Sequence, residues 1–210
     1  MDKPHVLIHV AVSADGKSSG FTADVARFYE LAATWHEDVT LAGSRTIAAQ
    51  EPALAAAESL PGPLRDGPLL AVVDGGRRIS RWRELRAAGH WSDVLALYSH
   101  STPPRPSDGP REIVTGTDQV DLAAALAALA AEGARTVRVD SGSVLNGLLL
   151  RTQLVDEISL LIHPCLAGSS APTWFDDIAV SSALSLVAAE DLEGGLLWVR
   201  YRPVRVWPAG

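Results

Sequence analysis

Small polar and acidic residues stand where predicted strands give way to helices. In VRVDSGSVLNGLLL (137–150), Asp140 and the turn Ser141-Gly142-Ser143 separate a β-branched run from an apolar helical run. The first turn of a helix carries unpaired backbone N–H groups and the positive end of the helix dipole, so this turn could hold a phosphate. Ser141 or Ser143 could instead cap the helix while Gly142 eases the turn, and this stretch alone leaves both roles open.

Two further turns offer similar chemistry. AVSADGKSSG (11–20) ends a predicted buried strand in Ser13 and Asp15, and LAGSRT (41–46) places Gly43, Ser44 and Thr46 at another strand-to-helix turn. The dinucleotide fingerprint G-x-G-x-x-G occurs nowhere in the chain, which argues against an ordinary Rossmann site. Taken alone, the Asp15-Gly16 pair is more typical of a simple turn than of a catalytic acid.

The elements that must position these turns alternate along most of the chain. Strands are predicted at 5–12, 38–43, 69–73, 94–98 and 134–139, and helices at 23–36 with Thr22 as N-cap, at 118–133 ending at Gly133, and at 143–151. Strands alone are predicted in the last third, at 156–164, 184–192 and 196–204, the final two forming a hairpin near LEGG. This order predicts an α/β fold: a mixed, mostly parallel sheet flanked by helices, with a C-terminal antiparallel hairpin. The Pro/Gly-rich stretches 61–68 and 101–110 are predicted to be surface loops within one domain over residues 1–210.

Composition excludes several classes of protein. The 210 residues carry a net charge of −7, too acidic to predict a nucleic-acid partner. The single cysteine, Cys165, excludes an internal disulfide framework, and the six histidines lack the spacing of metal ligands, so no metal site is predicted. The N-terminus lacks the pattern of a signal peptide and no apolar run is long enough for a membrane span, which predicts a cytoplasmic protein without a membrane partner. Neither a G-x-S-x-G elbow nor a zinc deaminase signature occurs.

Four stretches, taken in order, resemble the C-terminal pyrimidine reductase domain family of riboflavin biosynthesis, whose fold is similar to dihydrofolate reductase. They are SADG (13–16), LAGSRT with QEPAL (41–46 and 50–54), VDSGSVL (139–145), and LVDE with PCLAG (154–157 and 164–168). Their order and spacing match the family from about residue 5 to residue 203. The resemblance implies an oxidoreductase that transfers a hydride from NADPH to a small heterocyclic or imine-containing substrate, 5-amino-6-ribosylaminouracil phosphate-like or pterin-like.

The resemblance also implies roles for individual residues. The catalytic residues would be Asp15, Glu51 and Asp140, and the substrate-binding residues Ser13 and Gln50. The cofactor-binding residues would be Ala11, Val12, Gly43, Ser44, Thr46, Asp74, Arg77, Arg78, Ser141, Gly142, Ser143 and Val144. Arg77 or Arg78 would pair with the adenosine 2′-phosphate, since a guanidinium offers forked, permanently charged donors. A solvated turn is the alternative for these two arginines.

Departures from the family pattern lie mainly on the substrate side. Asp140 stands where the family has Glu, Gln50 where it commonly has an acid, and Ala55–Ala57 where an Arg helps to hold the substrate phosphate. These changes leave open an alternative function: a catalytically altered nucleotide- or pterin-binding protein of the same fold, with a regulatory or carrier role. The resemblance also implies a homodimer, formed through apolar strand faces in the last third of the chain.

Overall fold

The computed structural model describes residues 3–56, 66–103, 109–176 and 183–204. In the helix that spans Ser44–Ala56, the side chains of residues 51 and 53–56 are also outside the description. Of the predicted loops 61–68 and 101–110, residues 61–65 and 104–108 fall outside the described residues. No helix in the described ranges is long and apolar enough to cross a membrane.

The elements follow one another in the predicted alternating order. The strands are β1 (His5–Ser13), β2 (Val39–Gly43), β3 (Leu69–Val73), β4 (Asp93–Tyr98), β5 (Arg111–Val114), β6 (Thr136–Val139), β7 (Glu157–His163), β8 (Leu184–Leu192) and β9 (Leu196–Pro203). The helices are α1 (Val25–Ala32), α2 (Ser44–Ala56), α3 (Trp82–Ala87), α4 (Leu122–Ala131) and α5 (Ser143–Arg151). The chain divides into two compact units, one of residues 37–137 with the first residues of the chain, the other of residues 5–36 and 138–210.

The first unit is built on parallel strands. β2 pairs with β3, β3 with β4, and β4 with β5, with Val39 opposite Leu69 and Leu69 opposite Asp93. Leu70 and Val72 of β3 are fully buried, as expected when both faces of a parallel sheet are covered. A core cluster joins the strands to the helices and contains Ala42, Ile47, Leu70, Val72, Ile79, Leu85 and Val94. This apolar core therefore packs strands β2, β3 and β4 against helices α2 and α3.

The second unit combines parallel and antiparallel pairing. β1 runs parallel to β7, whereas β9 is antiparallel to both β7 and β8. The β8–β9 turn contains Gly194 and Gly195 with φ of 76° and 75°, a conformation that glycine adopts without strain. With the parallel pairs of the first unit, this pairing confirms the predicted mixed, mostly parallel sheet structure and the C-terminal antiparallel hairpin.

Several predicted boundaries were wrong. The helix predicted at 23–36 is α1 followed by a 3₁₀ turn, Ala33–Trp35, and its N-cap is Asp24 rather than Thr22. The Asp24 carboxylate accepts the Arg27 N–H at 2.9 Å, so it satisfies the first turn directly. The helix predicted at 118–133 begins only after Asp121, which caps it in the same way.

Two short elements were not predicted. The six residues of α3 and the four of β5 are too short to show a periodic pattern in sequence, and three of the four β5 residues are exposed. The single domain over residues 1–210 stays a prediction.

Candidate active site

The turn from β2 into α2 is tied to the interior of the first unit. We call residues 43–46 the β2–α2 corner. Ser44 is only 5% exposed, and its hydroxyl hydrogen-bonds to the carboxylate of Asp74, which follows β3. Gly43 and Thr46 are half-buried. The Ser44 hydroxyl is thus engaged within the first unit.

Asp74 organises the turn that follows β3. Its carboxylate is fully buried and accepts the backbone N–H groups of Arg78 at 2.7 Å and Ile79 at 3.1 Å. Burial raises the pKa of Asp74 above its ordinary value, while these N–H groups and the Ser44 hydroxyl favour the ionised form. A buried carboxylate cannot touch a ligand directly. Any contribution of Asp74 to cofactor binding would pass through the turn that it holds.

Two arginines project from this turn. Arg77 adopts a left-handed backbone conformation with φ of 53°, and its Nη1 donates to the Pro103 carbonyl at 2.8 Å. Arg78 is exposed, and its guanidinium lies over Gly76, where an added Cβ would be 2.8 Å from Nη1. The turn therefore presents positive charge at the carboxyl end of β3, as a phosphate site requires.

Sequence reasoning missed a cluster of hydroxyls beside this turn. The Ser99 hydroxyl lies 3.1 Å from the hydroxyls of both Ser101 and Thr102, and Thr102 Oγ1 donates to the Gly75 carbonyl at 3.1 Å. The cluster follows β4 directly, and the stretch SHST after a predicted strand was the available signal. Gln50 is exposed on α2, and the Glu51 side chain lies outside the description. Their substrate-side roles stay predictions.

The turn from β6 into α5 is more open. We call residues 140–144 the β6–α5 corner. Gly142 is the N-cap of α5, and no described side chain caps the helix. Ser143 Oγ donates to Asp176 Oδ2 at 2.7 Å, and Asn146 Nδ2 donates to the Ser141 carbonyl at 3.3 Å. Gly142 and Val144 are exposed, so the start of the helix is accessible to an anion.

The position of Asp176 is set by a close approach to α5. A Cβ at Gly147 would lie 1.7 Å from the Asp176 carbonyl oxygen, so only glycine permits this contact. Buried Asn146 donates to the Trp174 carbonyl at 2.8 Å, and Asp176 N donates to the Ser143 carbonyl at 3.0 Å. The segment 174–176 is thereby fastened beside the first turn of α5.

Asp140 is paired with an arginine that sequence reasoning also missed. Arg138 is 5% exposed, and its Nη1 donates to Asp140 Oδ2 at 3.0 Å. The Asp140 side chain is 28% exposed, so a buried cation holds a carboxylate that a ligand can reach. The available signal was the spacing, because residues i and i+2 of a strand lie on the same face.

The predicted acid at Asp15 accepts hydrogen bonds from three donors. The Ser13 hydroxyl donates to its Oδ1 at 2.5 Å, and the N–H groups of Ala167 and Gly168 each donate at 3.0 Å. The Ser13 hydroxyl first, and then the Ala167 N–H, lower the pKa of Asp15 to about 2. Asp15 is therefore ionised at neutral pH and acts as an acceptor that holds the loop 167–168.

The chain's family membership is decided by comparison with known proteins. The family model of the RibD C-terminal domain matches residues 4–198. The chain belongs to this family. It is 29% identical over 203 residues to the 2,5-diamino-6-ribosylamino-4(3H)-pyrimidinone 5′-phosphate reductase of Methanothermobacter thermautotrophicus, with 90% of this chain and 91% of that protein covered.

Solved structures agree on the fold of this RibD C-terminal domain. A pyrimidine reductase-like protein from Corynebacterium diphtheriae superposes with a TM-score of 0.74 at 18% identity, covering 97% of this chain and 93% of the other. Dihydrofolate reductase from Enterococcus faecalis gives a TM-score of 0.51 at 12% identity, covering 95% and 96%. The predicted dihydrofolate reductase-like fold and the predicted reductase family are both confirmed.

A nicotinamide dinucleotide suits the chemistry of the residues present. In the first unit, Arg77 and Arg78 provide charge for a phosphate at the end of β3. In the second, Gly142 leaves the start of α5 uncapped by any described side chain, as a pyrophosphate site needs. Ala11 and Val12 lie on β1 opposite Leu161 and Ile162 of β7. That both corners grip one dinucleotide stays a prediction. Within the described residues, no group of His, Cys, Asp and Glu has the arrangement of a metal site.

Proposed function

We propose that this RibD C-terminal domain is an NADPH-dependent reductase of an aminoribosylaminopyrimidine 5′-phosphate. One observation carries the proposal: the family model matches residues 4–198, a range that contains all four motifs, and the archaeal reductase is 29% identical over 203 residues. The substrate would be of the kind for which that relative is named. The reaction would convert the ribosylamino group, as its imine, to the reduced ribitylamino group.

The cofactor would be held by its phosphates. Bound NADPH supplies the hydride. The N–H groups of Ser143 and Val144 at the start of α5 would bind the pyrophosphate, where the helix dipole favours negative charge. Arg77 and Arg78 would bind the 2′-phosphate, which NADH lacks, so we expect a preference for NADPH.

The substrate would be oriented by carboxylates. Asp140 is partly exposed and paired with Arg138, so its carboxylate would accept hydrogen bonds from ring N–H and amino groups of the pyrimidine. Asp15, with a pKa of about 2, holds no proton at neutral pH and would act by fixing the loop after β7. The proton that balances hydride addition would therefore come from elsewhere, with water as the simplest source.

The test is NADPH oxidation, followed at 340 nm, with 2,5-diamino-6-ribosylamino-4(3H)-pyrimidinone 5′-phosphate or 5-amino-6-ribosylaminouracil 5′-phosphate. The product should be two hydrogens heavier by mass spectrometry. Asp140→Asn keeps the shape but removes the charge, and we expect a loss of about 10- to 100-fold in kcat/KM. Arg78→Ala should raise the KM for NADPH and leave that for NADH unchanged. The proposal would be overturned if NADPH were not oxidised with either of the two compounds.

A second function is favoured by one departure. Gln50 is exposed on α2 where the family commonly has an acid. A catalytically altered protein would bind NADPH or a pterin in a regulatory or carrier role. It would retain the β2–α2 and β6–α5 corners but would not catalyse the reduction. Quenching of tryptophan fluorescence by NADPH, without oxidation in the presence of any of these substrates, would favour this function.

The homodimer is proposed from an exposed apolar strand. In β8, Leu184, Leu186 and Val187 are 43%, 59% and 43% exposed. A second copy would cover these side chains. Light scattering should give a mass twice that of one chain. Leu186→Glu should reduce the measured mass to that of one chain. A wild-type protein that is monomeric at micromolar concentration would contradict the dimer. The cytoplasmic location and the absence of nucleic-acid and membrane partners stay predictions.

A further inference from the structure

A buried arginine lies directly beside the candidate catalytic acid. Arg138 and Asp140 occupy the same face at the end of β6, and the guanidinium Nη1 lies 3.0 Å from Asp140 Oδ2. The Arg138 side chain is 6% exposed. Removing a guanidinium from water is costly unless a carboxylate meets it, so the pair strongly constrains both side chains.

The constraint falls on one oxygen of the carboxylate. Arg138 contacts Oδ2, and no hydrogen bond from any described residue reaches Asp140 Oδ1. The Asp140 side chain is 28% exposed, whereas Arg138 is buried. The pairing is therefore directional: the arginine holds the carboxylate from inside the protein and leaves the second oxygen able to accept from a molecule outside.

Two described titratable groups beside this pair, His9 and Tyr29, are uncharged at neutral pH. His9 is buried, contacts Ser159 Oγ at 2.9 Å and the Phe28 carbonyl at 3.1 Å, and its electrostatic neighbours are Arg138 and Asp140. Burial lowers the pKa of His9 to about 4, so it is neutral at pH 7. The pKa of Tyr29, on α1, is affected by the same two charges. Burial has the largest effect and the Asp140 charge the next, and both raise the pKa of the phenol, so Tyr29 stays protonated.

We propose that Arg138 is a positioning residue for the reduction: it fixes the Asp140 carboxylate so that the second oxygen accepts the N–H groups of the pyrimidine. The inference rests on the proposed function, in which Asp140 contacts the substrate. A purely structural ion pair would stabilise the fold but would leave the geometry of the acid irrelevant to turnover.

The kinetic test uses four proteins: wild type, Arg138→Met, Asp140→Asn and the double variant. Arg138→Met keeps the length of the side chain and removes its charge. We expect kcat to fall about 10- to 100-fold while the KM for NADPH changes less than about twofold. Because Arg138 acts through Asp140, adding Arg138→Met to Asp140→Asn should cost less than about threefold more. Fully additive losses would overturn the inference.

A conservative variant separates positioning from folding. Arg138→Lys should retain the charge and recover most of the lost kcat at an unchanged melting temperature, and it remains informative where Arg138→Met does not fold. A lysine variant that folds normally but is as slow as the methionine variant would mean that a nearby charge does not suffice and would count against positioning. Arg135→Met removes an exposed arginine before β6 and is the matched control, expected to leave kcat unchanged.

A crystal structure of Arg138→Met gives a readout that does not depend on activity. We expect the Asp140 carboxylate to move or to occupy several conformations. An Asp140 side chain unchanged from the wild type would overturn the inference even if the variant were slow. Displacement of Asp140 in the variant, together with a wild-type protein that turns over no pyrimidine, would show that Arg138 holds the carboxylate but would refute the proposed function and, with it, the role of Arg138 in the reduction.

Discussion

The β2–α2 and β6–α5 corners have similar sequences and different surroundings. Each places glycine and serine where a strand gives way to a helix, and each has an aspartate nearby. Ser44 turns its hydroxyl to a fully buried Asp74, whereas Ser143 is half-buried and donates to exposed Asp176. The same chemistry thus stabilises the interior in one place and remains accessible in the other.

The two carboxylates that end β3 and β6 differ in the same way. Asp74 is surrounded by backbone N–H groups and is fully buried, which suits it to hold a turn. Asp140 has a buried arginine behind it and an exposed side in front, which suits it to meet a ligand. An aspartate at the end of a strand is therefore a candidate catalytic residue only when its surroundings leave an oxygen accessible.

Replacing Asp74 should have the largest effect on stability. Asp74→Ala leaves the N–H groups of Arg78 and Ile79 and the Ser44 hydroxyl without their acceptor, and we expect a loss of about 3 to 4 kcal/mol in the free energy of unfolding. Urea denaturation measures it. Ser44→Ala removes one of these bonds and should cost about 1 kcal/mol. If Asp74→Ala were as stable as wild type, the contrast between the two corners would fail.

Acid should destabilise the second unit through His9. The folded-state pKa of about 4 lies below the ordinary 6.5, so the unfolded chain binds a proton more readily between these values. The contribution of neutral His9 to the free energy of unfolding is complete above pH 6.5. It is lost as the pH falls from 6.5 towards 4, by about 3 kcal/mol in all. Chemical denaturation at several pH values measures it, with His9→Gln as control. An equally steep pH dependence in His9→Gln would exclude His9 as its source.

Gly147→Ala should disturb the β6–α5 corner alone. The new Cβ would meet the Asp176 carbonyl oxygen, so the segment 174–176 must move and lose its bonds to Asn146 and Ser143. We expect a destabilisation of about 2 to 3 kcal/mol by thermal denaturation. Val144→Ala, at an exposed position of the same helix, should cost less than about 0.5 kcal/mol. Equal effects of the two substitutions would mean that the close approach does not matter.

Asp176→Asn should have the smallest effect of these substitutions, and we expect it on the affinity for NADPH rather than on stability. It removes a negative charge beside the start of α5, where the cofactor pyrophosphate is proposed to lie, while its amide oxygen can still accept from Ser143. We expect NADPH to bind about two- to fivefold more tightly, corresponding to about 0.5 to 1 kcal/mol. Titration of tryptophan fluorescence measures the affinity. Weaker binding by this variant would place Asp176 among the supports of the cofactor site.

Long and strongly patterned elements could be predicted from the sequence, and short ones could not. The apolar runs of β1 and β3 and the alanine-rich α4 have clear patterns, whereas α3 and β5 hold only six and four residues. Thr22 was predicted as a cap because hydroxyls commonly cap helices, but Asp24 lies one position before the first helical residue and takes that place. Competing candidates two residues apart are resolved only by the path of the backbone.

The candidate site, too, has features that could be predicted from the sequence and features that could not. Motif order identified Asp15, Gly43, Asp140 and Gly142 as candidates, because each lies at or just after the end of a predicted strand. It could not show that three donors occupy Asp15, or that Arg138 faces Asp140. Those contacts depend on which side chains share a face and on which loops fold back from distant parts of the chain.

The sequence by itself determined the order of the strands and helices, the chemical types at their ends and the resemblance to a reductase family. Only the tertiary structure decided which of those polar groups are buried and which stay accessible. The reason is physical: hydrophobic patterning acts over a few neighbouring residues, whereas the burial and pairing of a charge depend on residues brought from elsewhere in the chain.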